Sequence, residues 1–112
     1  MAWYKTIIEF SANSDMYQKI IEGLNRIDTK CIKSWTGVNR EGKVYLINTP
    51  LGGYMLETEK KHSESPPFMD KVDFTLLSTA RVSINNAIRR LEKIIRDNGI
   101  DPIHHNTRRV SS

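Results

Sequence analysis

The chain has 112 residues, of which 38% are hydrophobic and 27% are charged, so it fits one small globular domain and is too apolar for a disordered chain. No apolar run approaches the roughly 20 residues that span a bilayer, and the single cysteine excludes an internal disulfide and a cysteine-based zinc site within one chain. The N-terminus has no signal-peptide pattern, so the sequence predicts a cytoplasmic protein without a membrane partner.

The positive charge of the chain is concentrated towards its C-terminal end. The formal net charge is +4. Residues 1–78 contain ten basic and ten acidic residues, whereas residues 79–112 contain seven basic and three acidic residues. Most of this local excess is arginine, whose planar guanidinium binds phosphate or carboxylate through two parallel hydrogen bonds.

The chain begins with a predicted strand and a predicted helix. Residues 3–10 alternate across two faces and are rich in aromatic and β-branched side chains, which indicates a strand. Apolar residues at helical spacing then predict an amphipathic helix over 15–27. Asp15 and Gln18 have the spacing of a capping box at its start.

The middle of the chain predicts further strands and one long loop. Residues 29–38 and 43–49 predict a hairpin, with a turn that ends in glycine between them. Pro50 and the two glycines that follow it predict a reversal, after which residues 54–58 form a short strand. Residues 59–71 are almost free of apolar side chains and predict a loop.

The last regular elements are a strand and a long helix. Residues 72–76 alternate again and predict the strand. The helix, over 79–97, has apolar residues that keep to one face for five turns. Asn98 and Gly99 supply a left-handed C-cap, and Pro102 prevents the helix from continuing.

These elements predict an α+β fold in the order β-α-β-β-(β)-β-α, with a small antiparallel or mixed sheet of 4–5 strands and two helices packed on one face. Residues 1–100 form the single domain, and residues 101–112 form a flexible basic tail. Large apolar groups occur on both sides of the first and third strands. We therefore expect a second copy of the chain to cover the other sheet face, in a homodimer or a higher homo-oligomer.

The outer row of the last helix and the tail form the candidate binding site. Basic residues four apart on a helix repel one another by a few tenths of a kcal/mol. A row that lowers helix stability in this way indicates a negatively charged partner, although a solvated face that aids solubility is the competing interpretation. The candidate residues are Arg81, Asn85, Arg89, Arg90, Lys93, Arg96, Arg108 and Arg109.

Catalytic and metal-binding patterns are absent from the sequence. It has no phosphate-cradling glycine loop, no metal-ligand cluster and no nucleophile beside a base. His104 and His105 are adjacent, but neighbouring positions on an extended chain point apart and offer too few ligands for a metal. We expect no enzymatic activity, no cofactor and no metal.

The sequence therefore favours a non-enzymatic binding protein that engages an anionic partner through its last helix and tail. That partner is a nucleic acid, a nucleotide or an acidic protein surface. A small inhibitor or sequestering factor of the phage or mobile-element type fits such a chain. One alternative is a small DNA- or RNA-binding regulator, and a second is a small, basic ribonuclease toxin that needs no metal.

Overall fold

The computed structural model describes residues 2–24, 29–50 and 52–111, which include two helices and seven strands. The helices are α1 (Ser14–Leu24) and α2 (Arg81–Asp97). The strands are β1 (Ala2–Ala12), β2 (Thr29–Gly37), β3 (Arg40–Thr49), β4 (Gly52–Lys61), β5 (Asp70–Ser78), β6 (Ile103–His104) and β7 (Arg108–Ser111).

The seven strands form a single antiparallel sheet. Its order is β2, β3, β4, β5, β1, and both β6 and β7 pair with the remaining edge of β1. Strand residues outnumber helical residues in the described part of the chain, so the protein is mostly β. The predicted fold class, an α+β domain with a sheet of 4–5 strands, is therefore wrong.

The predicted element order lacks the two strands that follow α2. Their polar composition indicated a frayed end, but a strand can join a sheet edge through backbone hydrogen bonds without apolar side chains. Lys5 pairs with Arg108, and Ile8 pairs with His104. Without these partners β1 would expose a row of unpaired backbone groups. The flexibility of residues 101–112 in solution stays a prediction.

Two middle strands are longer than their side-chain patterns indicated. β3 begins early because the reversal before it takes only Val38 and Asn39, whose φ is 55°. β4 continues through charged residues that predicted a loop, and an ion pair of 3.2 Å between Lys60 and Glu41 joins this part of β4 to β3. The loop between β4 and β5 is confined to residues 62–69.

The start of α1 differs from the predicted capping box. Asn13 accepts a hydrogen bond from the backbone N–H of Met16 at its Oδ1 atom (2.9 Å), so Asn13 caps the helix in place of Asp15. Residues 25–27, the end of the predicted helix, lie outside the described residues. Of the two helices in the described chain, neither is long and apolar enough to cross a membrane.

The two helices lie on one face of the sheet, where the hydrophobic core is. The rings of Phe10 on β1 and Phe74 on β5 pack edge to face, with centroids 5.1 Å apart. The inner side of α2 adds Ile84, Leu91 and Ile95 to the same buried cluster. Burial of one such side chain contributes about 1.5–3 kcal/mol, so α2 is held firmly against the sheet.

The other face of the sheet is open and mixed in character. Met55 and Leu77 are paired across β4 and β5, which places them side by side on this face. Four residues along the same strands, Glu59 is paired with Asp73, and Asp73 is paired with Glu9 on β1. The open face is therefore apolar at one end and acidic at the other.

Candidate functional site

The predicted basic row lies on the solvent side of α2. All of its helical members are exposed, whereas the opposite side of the helix is buried in the core. Because the core fixes the helix, the row has a defined position relative to the sheet. The exposed members on α2 are Arg81, Asn85, Arg89, Arg90, Lys93 and Arg96.

Two members of the row are paired with acidic side chains. Lys93 Nζ lies 2.9 Å from Asp97 Oδ2, one helical turn later. Arg96 contacts Asp101 at 3.2 Å and Glu92 at 3.9 Å. Such exposed pairs contribute little to stability, but they reduce the positive charge that the end of α2 presents to a partner.

The two arginines of β7 do not extend the row together. Arg108 is paired with Lys5 and Arg109 with Tyr4, so the two guanidinium groups leave the sheet on opposite faces. Tyr4 also lies under Arg81, whose Cζ atom is 5.9 Å from the ring centroid. Arg109 is therefore on the helix side with Arg81, and Arg108 is on the open face.

A cavity of about 440 Å³ lies between α2 and the turn that joins β3 to β4. Arg89, Arg90 and Lys93 provide its charged groups, and Pro50 and Ala87 provide apolar surface. The volume is within the range of about 300–1,000 Å³ that is usual for organic ligands. Among the described residues, its lining consists of Thr49, Pro50, Tyr54, Ser83, Asn86, Ala87, Arg89, Arg90 and Lys93.

Tyr54 lines this cavity and is only 5% exposed. Its hydroxyl has no hydrogen-bond partner among the described residues, although leaving a buried hydroxyl unpaired costs about 1–3 kcal/mol. Burial raises the pKa of Tyr54 to about 12, and the positive charge of Arg90 acts in the opposite direction. At neutral pH the phenol is therefore protonated, and its buried O–H is an unused hydrogen-bond donor within the described residues.

Gly52, the first residue of β4, lies very close to α2. Gly52 has a φ of 118°, which favours glycine, and a Cβ atom there would collide with the Ser83 hydroxyl on α2. The Thr49 hydroxyl donates to the Gly52 carbonyl at 2.6 Å, and the Ser78 hydroxyl donates to the Gly53 carbonyl at 2.9 Å. These contacts fix the side of the cavity that the turn contributes.

Sequence reasoning found the charged part of this cavity but missed its other residues. Asn85 was a predicted site residue and does not line the cavity, whereas Asn86 does. Ser83, Asn86 and Arg90 are three or four residues apart and so share one side of the helix. That spacing is a signal that could have singled out Asn86. The strand pattern gives no indication that Tyr54 meets this side of α2.

The C-terminal histidines contact β1. His104 Nε2 is 2.8 Å from the Thr6 hydroxyl, and His105 Nε2 is 3.0 Å from Glu9 Oε1. The hydrogen bond with His105 is the main cause of a lowered pKa of Glu9. Across residues 2–24, 29–50 and 52–111, no group of three or more His, Cys, Asp or Glu side chains could hold a metal ion.

Comparison with known proteins finds little similarity. No protein-family model matches the chain, and no curated protein matches it. Among solved structures, the chain is similar to the siderocalin Ex-FABP, described as functioning through dual ligand specificities, with 14% sequence identity. The match covers 88% of this chain and 81% of that chain, with a TM-score of 0.30, which is too low to indicate a shared fold or function.

Proposed function

We propose that the protein binds a small anionic ligand in the cavity between α2 and the β3–β4 turn, and that it holds this ligand without converting it. The observation that carries the proposal is the pair Arg89 and Arg90, two exposed guanidinium groups that line a partly apolar cavity and form no ion pair within the described residues. An anionic oxygen would accept hydrogen bonds from the guanidinium groups, and charge-assisted bonds of this kind are strong.

The arrangement of the basic groups favours a compact anion over a long nucleic acid. A protein that follows a phosphate backbone needs several basic groups along one surface. Lys93 and Arg96 are paired with acids, and Arg108 is on the sheet face away from α2. Arg89 and Arg90, which form no ion pair within the described residues, concentrate their charge at the cavity.

The test is thermal unfolding with phosphate- and carboxylate-bearing metabolites, followed by calorimetry of each compound that stabilises the protein. A ligand present at 100 times its Kd raises the free energy of unfolding by about 2.7 kcal/mol. The double variant Arg89→Gln, Arg90→Gln should lose at least tenfold in affinity. The double variant Arg81→Gln, Arg108→Gln removes the same charge away from the cavity and should stay within twofold of the unaltered protein.

Equal losses in the two double variants would show that net charge alone attracts the anion and would contradict a site in the cavity. Failure of every anion to raise the melting temperature would contradict the proposal as a whole. The nucleic-acid-binding regulator and the metal-independent ribonuclease stay alternative predictions. The first requires binding that weakens steeply with salt, and the second requires turnover of RNA.

The predicted homodimer also stays a prediction. The apolar end of the open sheet face, where Leu46 and Val110 are each 39% exposed, supports self-association. The carboxylates of Glu59, Asp73 and Glu9 at the other end oppose a dimer that stacks these residues on one another, but ion pairs with Arg40 and Lys71 reduce the charge of Glu59 and Glu9. Light scattering decides the matter, because a monomer mass at high protein concentration would contradict the dimer.

A further inference from the structure

The chemistry of the α2 cavity restricts the ligand further, and this step rests on the proposed function. We infer that the ligand is a nucleoside monophosphate, with its phosphomonoester at Arg89 and Arg90 and its ring system against the apolar part of the cavity. Three properties of the cavity support this class of ligand, namely its volume, its apolar surface and its charge.

The volume is larger than an inorganic anion requires. A water molecule takes about 30 Å³ in the liquid, and a phosphate ion is only a few times larger. Such an ion would leave most of a 440 Å³ cavity unfilled. The ligand therefore carries an organic group next to its anionic group.

The remaining surface fits a ring with polar edges. Pro50, Ala87 and the ring of Tyr54 supply apolar contacts. Asn86 is half-buried in the lining, and its Nδ2 atom donates to the Val82 carbonyl at 2.9 Å. That bond uses one of the amide's two N–H groups and leaves its oxygen as an acceptor. Asparagine amides recognise the edges of nucleobases through such donor and acceptor pairs.

The charge favours a terminal phosphate over a phosphodiester. A phosphomonoester carries about −1.5 to −2 charges near neutral pH, whereas each phosphodiester in a nucleic acid carries one. Arg89 and Arg90 are consecutive and both line the cavity, so they supply two positive charges. The two positive charges of Arg89 and Arg90 therefore match the charge of one dianionic phosphomonoester group.

The experiment is calorimetric titration of the full chain with AMP, GMP, CMP and UMP, and separately with ribose 5-phosphate, inorganic phosphate and adenosine. We expect at least one nucleoside monophosphate to bind ten or more times as tightly as ribose 5-phosphate, phosphate and adenosine. Asn86→Ala should reduce this preference over ribose 5-phosphate to less than threefold. It should leave the affinity for phosphate unchanged, because alanine favours the helix and the basic groups stay in place.

The outcomes separate this inference from the proposed function. If ribose 5-phosphate or inorganic phosphate binds as tightly as every nucleotide, the nucleotide inference is overturned and the anion site stands. If adenosine binds as tightly as AMP, the phosphate contributes nothing and both are overturned. If none of the seven compounds binds, the nucleotide inference is overturned, and the wider panel of anions decides the proposed function.

Discussion

Tyr54 and Tyr17 are both buried on the helix side of the sheet, but their hydroxyl groups have different surroundings. The Tyr17 hydroxyl is hydrogen-bonded to Thr58, and Lys60 Nζ lies 4.6 Å from the centroid of the Tyr17 ring. The Tyr54 hydroxyl has no partner within the described chain. Since a buried hydroxyl stabilises a protein only when it is paired, removing these two oxygens should have opposite effects.

Tyr54→Phe should therefore raise the free energy of unfolding of the ligand-free protein, by about 0.5–1.5 kcal/mol. Tyr17→Phe, the matched control, should lower it by about 1 kcal/mol because the hydrogen bond with Thr58 is lost. Urea denaturation with an unchanged m-value measures both differences. A loss in Tyr54→Phe as large as that in Tyr17→Phe would mean that the Tyr54 hydroxyl is paired, which would contradict the unpaired hydroxyl found among the described residues.

At the scale of elements, the contact between the β3–β4 turn and α2 determines the shape of the cavity. Gly52→Ala should destabilise the protein by about 2–4 kcal/mol, because alanine is strained at a positive φ and its Cβ would displace Ser83. Gly99→Ala is the control, since Gly99 also has a positive φ (78°) but no atom of the described residues lies within 4 Å of its Cβ position. Its cost should be about 1 kcal/mol.

The difference between these two glycine variants combines the contact with Ser83 and the greater strain of alanine at a φ of 118° than at 78°, and urea denaturation measures it. Ligand affinity gives a second comparison, because Gly52→Ala alters the cavity and Gly99→Ala does not. Equal destabilisation by the two substitutions would show that the turn moves away from α2 without resistance.

Glu9 links β1 to the segment that contains β6. His105 and Lys71 contact its two carboxylate oxygens at 3.0 and 3.5 Å. Its pKa in the folded protein lies below the ordinary value of 4.5, mainly because of the hydrogen bond with His105. The stability that results is present above pH 4.5 and is lost as the pH falls through the lowered pKa.

Glu9→Gln should therefore make the free energy of unfolding less dependent on pH below 4.5. The control is Glu57→Gln. Glu57 lies on the same sheet face as Glu9, and its carboxylate forms no ion pair within the described residues. Denaturation curves between pH 3 and pH 6 distinguish the two variants. If the free energy of unfolding of Glu9→Gln fell as steeply with decreasing pH as that of the unaltered protein, this carboxylate would not support the fold.

A helix or strand could be predicted when its own residues carry the full apolar pattern that is buried. It could not be predicted when it forms only by pairing with a strand that is distant in sequence. α2 was expected over 79–97 and spans Arg81–Asp97, because its buried face repeats for five turns. β6 and β7 have only two and four residues and gain their order from β1. Thr6 and His104, which contact each other across this pairing, are 98 residues apart.

The same distinction applies to the candidate site. The basic residues were visible in the sequence because they lie on one helix, and their spacing alone places them on its outer side. Tyr54 comes from a strand and joins them only through the fold. Whether its hydroxyl is paired depends on the packing of α2 against β4, which no local pattern encodes.

At the scale of the whole molecule, the C-terminal segment closes one edge of the sheet. β1, at the N-terminal end of the described chain, pairs with β5 on one side and with β6 and β7, from the C-terminal end, on the other. At the opposite edge, β2 exposes nearly all of its residues and contains a register shift between Cys31 and Lys33. Irregular, lysine-bearing edges resist pairing with other chains, whereas β1 is long and regular.

Removal of residues 103–112 should therefore lower the free energy of unfolding by on the order of 2–4 kcal/mol, since several backbone hydrogen bonds are lost at about 1 kcal/mol each and some chain entropy is regained. The shortened protein should also aggregate, because β1 becomes an open edge. The control is the full-length variant Arg108→Ser, Arg109→Ser, which removes the two charges and keeps the backbone pairing. It should unfold within about 0.5 kcal/mol of the unaltered protein, as is usual for exposed positions. An unchanged melting temperature after truncation is the result that a free tail would give, and it would contradict the closure of the sheet by β6 and β7.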